Sequence, residues 1–124
     1  MPSPTTLERF IARVEENAHA EAIAEFYAED GSIQENVSPP RVGRDALVAR
    51  ERGVMARADR ITSTCVRPVL VSGDHAVIRW RFRFDWKDGT VTEMEELAYQ
   101  TWRGEQLVLE QFFYDPAQRA PKKP

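Results

Sequence analysis

A single cysteine, Cys65, leaves this 124-residue chain without an internal disulfide, and with only two histidines it has no Cys/His cluster for zinc. No run of about 18 apolar residues occurs, so no helical membrane span is expected. The chain does not open on a basic segment followed by an apolar one, and no secretory signal is read. Charge of neither sign dominates: 17 Lys and Arg against 20 Asp and Glu give a formal net charge of −3. That argues against a partner held by a basic footprint, nucleic acid above all. Cytoplasm is the default compartment these absences leave. Cys65 itself reads as a small buried hydrophobe.

What remains is ordinary for a globular protein, with 42% hydrophobic and 30% charged residues. The length suits one domain over residues 1–124, with 1–4 and 116–124 flexible at its ends. Thr5 and Glu8 have the spacing of a capping box, and Leu7, Phe10, Ile11 and Val14 follow on one helical face. A second short helix places Ala20, Ile23, Ala24 and Tyr27 inward and stops at Asp30-Gly31. Ser32 to Val37 reads as a short strand and Ser38-Pro39-Pro40 as loop. A third helix opens near Asp45 with Leu47, Val48, Val54, Met55 and Ala58 as its apolar stripe.

From Ile61 the chain turns to β-formers. His75 to Trp86 alternates strictly, with Trp80, Phe82, Phe84 and Trp86 on one face and Arg79, Arg81 and Arg83 on the other. A long hairpin follows, Thr90 to Asp115, turning at Arg103-Gly104-Glu105. The element order is α-α-β-α-β-β-β-β, an α+β fold whose antiparallel sheet is covered by helices on one face. Such a curled sheet leaves a concavity suited to a small ligand.

Two segments, AIAEFYAEDGSIQENVSPPRVGRDAL and AYQTWRGEQLVLEQFFYD, resemble the SnoaL-like and ketosteroid-isomerase-like branch of the nuclear transport factor 2-like superfamily. The likeness covers about residues 5 to 115 and includes the Pro-x-x-x-Gly lead into the third helix. It implies a cone-shaped, strongly curved sheet wrapped on the N-terminal helices, a cystatin-like α+β barrel, usually homodimeric through the outer sheet face. It also implies an apolar pocket, and it places Met94, Glu96, Ala98, Gln100, Trp102, Glu110, Phe112 and Tyr114 toward that pocket.

Set against steroid isomerases of that branch, Glu35 falls where the proton-moving carboxylate stands, and Tyr27 where some have a supporting tyrosine. Their oxyanion-hole tyrosine falls near Phe10 or Ile11, and their oxyanion-hole acid on Ala98. Losing such a donor costs roughly 10²–10³ in rate, so that mechanism is disfavoured here. SnoaL-type cyclases carry a His and an Asp two residues apart in the last strand, where this chain has Glu110 and Phe112.

Glu35, Glu96 and Glu110 are therefore the candidate acid/base residues. A carboxyl in an apolar pocket has its charged form destabilised, which moves its pKa toward the useful range. For Glu35 the structural alternative is a pair with Arg41 or Arg44. Glu96 and Glu110, on adjacent strands, either approach each other or are parted by a bulge. Glu93 and Glu95 belong outside, laddered with the arginines of the neighbouring strand. Tyr27, Trp80, Phe82, Gln100, Phe112 and Tyr114 are the candidate ligand contacts. His19 and His75 lie at turn edges, exposed, without a nucleophile partner.

The function expected is cofactor-free and metal-free acid/base chemistry on a small apolar or aromatic molecule: cyclisation, isomerisation or dehydration. The alternatives are a non-catalytic binder of such a ligand and a subunit whose outer sheet docks another protein.

Overall fold

Ser3 starts the first helix, α1 (Pro4–Glu15), its hydroxyl accepting from the Thr6 amide at 3.1 Å with Pro4 in the first turn. The cap is therefore two residues earlier than the Thr5–Glu8 spacing suggests. Leu7, Phe10, Ile11 and Val14 are all buried. Burial is worth roughly 1.5–3 kcal/mol per large apolar side chain and a cap only about 1 kcal/mol, so packing holds α1 in place.

The computed structural model describes residues 1–124. After α1 come α2 (His19–Phe26), β1 (Tyr27–Glu35), the two-residue β2 (Arg41–Val42) and α3 (Arg44–Arg57). Four long strands follow: β3 (Ala58–Ser72), β4 (His75–Trp86), β5 (Val91–Arg103) and β6 (Gln106–Phe113). A final 3-10 turn spans Pro116–Arg119. No helix is long and apolar enough to cross a membrane.

The fold is α+β, with three helices on the concave side of one curved sheet of order β2-β1-β6-β5-β4-β3. The sheet is open rather than closed, and it is mixed: β1 lies parallel to β6, while the remaining pairs are antiparallel.

Two boundaries differ from the sequence reading. The second helix ends at Phe26, and the strand begins at once with Tyr27 instead of Ser32. Asp30-Gly31 is then a break within β1, where the pairing to β6 shifts between Tyr27 and Ser32. Gly31 is required there because a Cβ would lie 2.9 Å from the carbonyl oxygen of Ala28. In α3 only Leu47 of the expected stripe is buried: Val48 is partly buried against the core, and Val54 lines a cavity.

The hairpin turn is as read, with Gly104 at φ 61° between β5 and β6. The outer face carries the arginine ladder: Arg79 and Arg81 pair with Glu95, and Arg83 with Glu93 at 2.9 Å. These pairs are exposed, worth roughly 0–1 kcal/mol each, so they set surface character more than stability. The tail expected to be loose carries the 3-10 turn, and Lys122 makes a two-way backbone bridge with Val91.

Candidate functional site

Between α2, α3 and the concave sheet face lies a cavity of about 700 Å³. Its floor is β4. Residues two apart on a strand share a face, so Trp80, Phe82, Phe84 and Trp86 form a continuous aromatic ladder. Trp80 and Phe82 stack at 5.5 Å between centroids, and Phe84 and Trp86 at 5.1 Å. Phe112 joins them from β6, and Val54 from α3 closes the opposite side.

Glu110 stands at the inner end and is 4% exposed. The Tyr27 hydroxyl donates to its Oε1, and Gln100 Nε2 donates to its Oε2 at 2.8 Å. Trp102 Nε1 in turn donates to Gln100 Oε1 at 3.0 Å, so the amide cannot turn over. Burial raises the Glu110 pKa, and the bonds from Tyr27 and Gln100 only partly oppose that. Both oxygens are occupied, and Glu110 holds the wall together. Gln100 and Tyr27 were candidate ligand contacts, but Gln100 lies behind the wall and the Tyr27 hydroxyl is committed to Glu110.

Glu96 is the contrasting carboxyl. The register sets Glu96 opposite Trp80, and Glu110 opposite Gln100, so the two acids do not face one another. Four residues along β5 is roughly 13 Å at the backbone. Glu96 lines the cavity and has no hydrogen bond or ion pair with any protein group. Burial pushes its pKa up to about 8, and the Glu110 and Glu35 carboxyls add to the rise. Its carboxyl faces the cavity and holds its proton more tightly than an ordinary carboxyl does.

Glu35 was expected to gain a raised pKa; the structure reverses this. Burial does press its pKa upward, but Arg119 and Arg41 together outweigh it and hold the carboxyl below its ordinary range. Arg119 Nη1 donates to Glu35 Oε1 at 2.8 Å and Arg41 Nη1 to Oε2 at 3.2 Å. Arg119 also donates to the Tyr114 hydroxyl at 3.0 Å. Glu35 is thus an ion-paired carboxylate at the cavity mouth, and Tyr114 lies beside this clamp, outside the cavity wall.

Sequence reasoning missed His19, Glu51 and Arg119. His19 is not at an exposed edge: its side chain is 11% exposed, and its ring packs edge-on against Phe82 at 5.3 Å. Its Nε2 lies 2.8 Å from Ser63 Oγ and its Nδ1 3.5 Å from Glu51 Oε1. A signal existed in the spacing. His19, Ile23 and Phe26 share one helical face, as do Leu47, Glu51 and Val54. Polar residues at apolar-face positions mark a wall exposed to a cavity. Arg119 had no such signal, because its contact with Glu35 spans 84 residues.

The sequence model of the SnoaL-like domain matches residues 7–110. A search of curated proteins finds no match. Among solved structures, the chain resembles a protein of ketosteroid isomerase-like fold from Catenulispora acidiphila in complex with trimethylamine. The TM-score is 0.76 at 18% identity, covering 94% of this chain and 89% of that one. An epoxide hydrolase of M. tuberculosis, described as LEH-like, superposes with TM-score 0.75 at 10% identity over 92% of this chain and 83% of its own. TerC, co-crystallised with polyporic acid, gives 0.73 at 12% identity over 91% of each chain. At these identities the structural likeness establishes the fold.

Proposed function

Because the chain belongs to the SnoaL-like domain family, we propose that it performs acid/base chemistry on a small aromatic or apolar carbonyl compound held against the β4 ladder. The observation that carries this is Glu96, a carboxyl on the cavity wall with no protein partner and a pKa of about 8. Its oxygens open onto the cavity space, and a ligand oxygen placed there would give the acid a partner. As a neutral acid, Glu96 donates a hydrogen bond to a carbonyl oxygen and stabilises the negative charge that develops when a proton leaves the adjacent carbon. In a carbonyl compound, double-bond isomerisation, aldol-type cyclisation and loss of a β-hydroxyl as water each have a route through such an enol. The ligands and activity carried by the structural neighbours, polyporic acid, trimethylamine and epoxide hydrolysis, support a small organic substrate. The working unit in this reading is a homodimer joined through the outer sheet face.

A bicyclic aromatic ketone, 2-tetralone, is a suitable probe for a cavity of about 700 Å³. In deuterium oxide the protein should accelerate exchange of the hydrogens between its ring and its carbonyl, followed by proton NMR. Glu96→Gln should slow the exchange about 10²-fold while binding is retained. Exchange no faster than in buffer would sink the catalytic reading. The alternative is then a binding protein without chemistry, favoured by the fact that Glu35 and Glu110 are both already engaged by protein groups. In that case 2-tetralone would bind to the wild type with no acceleration of its exchange.

A further inference from the structure

His19 is the histidine of the cavity wall, and both of its ring nitrogens have a neighbour. On one side a short chain of hydrogen bonds runs away from the cavity. Ser63 donates its hydroxyl proton to Asn17 Oδ1 at 2.8 Å, and Ser63 Oγ lies 2.8 Å from His19 Nε2. A hydroxyl has one proton. With that proton committed to Asn17, Nε2 must carry the ring hydrogen and donate it to Ser63. The neutral ring therefore keeps its lone pair on Nδ1.

Nδ1 stands 3.5 Å from Glu51 Oε1, and Glu51 also lines the cavity. A lone pair beside a carboxylate makes no bond, whereas a proton arriving at Nδ1 is at once directed at Glu51. Asn17, between α1 and α2, adopts φ 66°, a left-handed conformation that asparagine tolerates better than most residues. The ring is steadied by Phe82 and Phe84, at 5.3 and 6.4 Å between centroids.

The acid is close at hand. Phe82 pairs with Met94, one step along the same face from the Trp80–Glu96 pair. Successive rows on one face are roughly 7 Å apart. A bicyclic ligand seated on the ladder would span the interval between the rows that carry the His19 ring and the Glu96 carboxyl.

Resting on the acid/base reading above, we propose that His19 Nδ1 is the base of this pocket, with Ser63 and Asn17 as positioning residues that hold its tautomer and Glu51 pairing the imidazolium. Nδ1 takes a hydrogen from the carbon next to the ligand carbonyl. The C–H electron pair becomes the carbon–carbon double bond, and the carbonyl π pair moves to oxygen, where the Glu96 O–H bonds to it. Return of the proton to the same carbon gives exchange; in a β,γ-unsaturated ketone the enol is conjugated, and return to the γ carbon gives isomerisation. No other reactant is consumed.

The test pairs kinetics with imidazole NMR. In His19→Gln, whose amide can still bond Ser63 but cannot accept a proton, 2-tetralone exchange should fall at least about 10²-fold with 2-tetralone binding kept. Exchange at the wild-type rate in His19→Gln, alongside slow exchange in Glu96→Gln, would overturn the assignment of His19 and leave the pocket reading standing. Multiple-bond nitrogen spectra of the wild type should show the Nε2–H tautomer. It should persist in Asn17→Asp, which keeps an acceptor, and be lost in Ser63→Ala. If wild-type protein exchanges nothing, the pocket reading fails on this probe. The spectra then decide alone, since Nδ1 must still shift when 2-tetralone is added. An Nδ1–H tautomer, or an Nδ1 indifferent to the ligand, overturns the proposal.

Discussion

Glu96 and Glu110 stand on neighbouring strands and point to the same side of the sheet, yet they end in different chemical surroundings. Glu110 is met by Tyr27 and Gln100, whereas Glu96 is met by nothing from the protein. This difference has a pH signature. The Glu96 pKa rises from an ordinary value near 4.5 to about 8 on folding, so the folded state holds a proton that the unfolded state has released. Its contribution is fully present below about pH 4.5 and is lost as pH climbs through about 8. Wild-type stability to urea should therefore decline across that interval, and Glu96→Gln should decline less. Glu110, also raised, acts in the same direction in both proteins, while the lowered Glu35 acts below that window, so the difference between the two curves reports Glu96 together with its coupling to those carboxyls. Exchange of 2-tetralone should fall as pH climbs through about 8, where the acid ionises in the folded protein. Strand alternation showed which residues share a face with Glu96 and with Glu110, and the family resemblance turned those faces inward. That one would be satisfied and the other free was not legible, because it depends on which residue lies across the strand boundary.

At the scale of elements, the mouth of the cavity is made by pieces that are distant in sequence. The 3-10 turn after β6 brings Arg119 to Glu35 at the end of β1, and Arg41 of β2 reaches the same carboxyl. Without Arg119, burial would oppose only Arg41. Arg119→Ala should therefore raise the Glu35 pKa, measured by carboxyl NMR titration, and an unmoved value would remove the tail from the account of the mouth. Local signals misplaced some of these parts for identifiable reasons. Asp30-Gly31 is a strong helix-stop pair, yet Gly31 is there because Ala28 O leaves no room for a Cβ. The tail's Pro and Lys content reads as a loose end, while Lys122 pairs with Val91 and Arg119 with Glu35.

Over the whole molecule, the two sheet faces differ. The concave face and the helices bury the aromatic core, while the convex face shows arginine–glutamate pairs beside Leu97, Tyr99 and Phe113, which are 45%, 39% and 42% exposed. Leu97 and Phe113 are directly paired across β5 and β6, which makes an apolar strip. Light scattering should give twice the chain mass, and Leu97→Glu should shift it toward the monomer; a monomeric wild type would remove the dimer from the proposed function.

The amino-acid sequence by itself determined most of the elements and the two-sidedness of α1 and the long strands: helical repeats at three and four residues, strand repeats at two, and the Gly104 hairpin. Those periodicities are local, arising from backbone geometry and the removal of apolar surface from water, and they persist whatever the chain's neighbours are. Tertiary structure alone decided the chemistry of each polar group. Whether Glu35 is clamped, Glu110 satisfied, Glu96 free and His19 held in one tautomer depends on register and on contacts up to 84 residues apart. A side chain's charge state is set by the few ångströms around it, and only the folded chain fills that space.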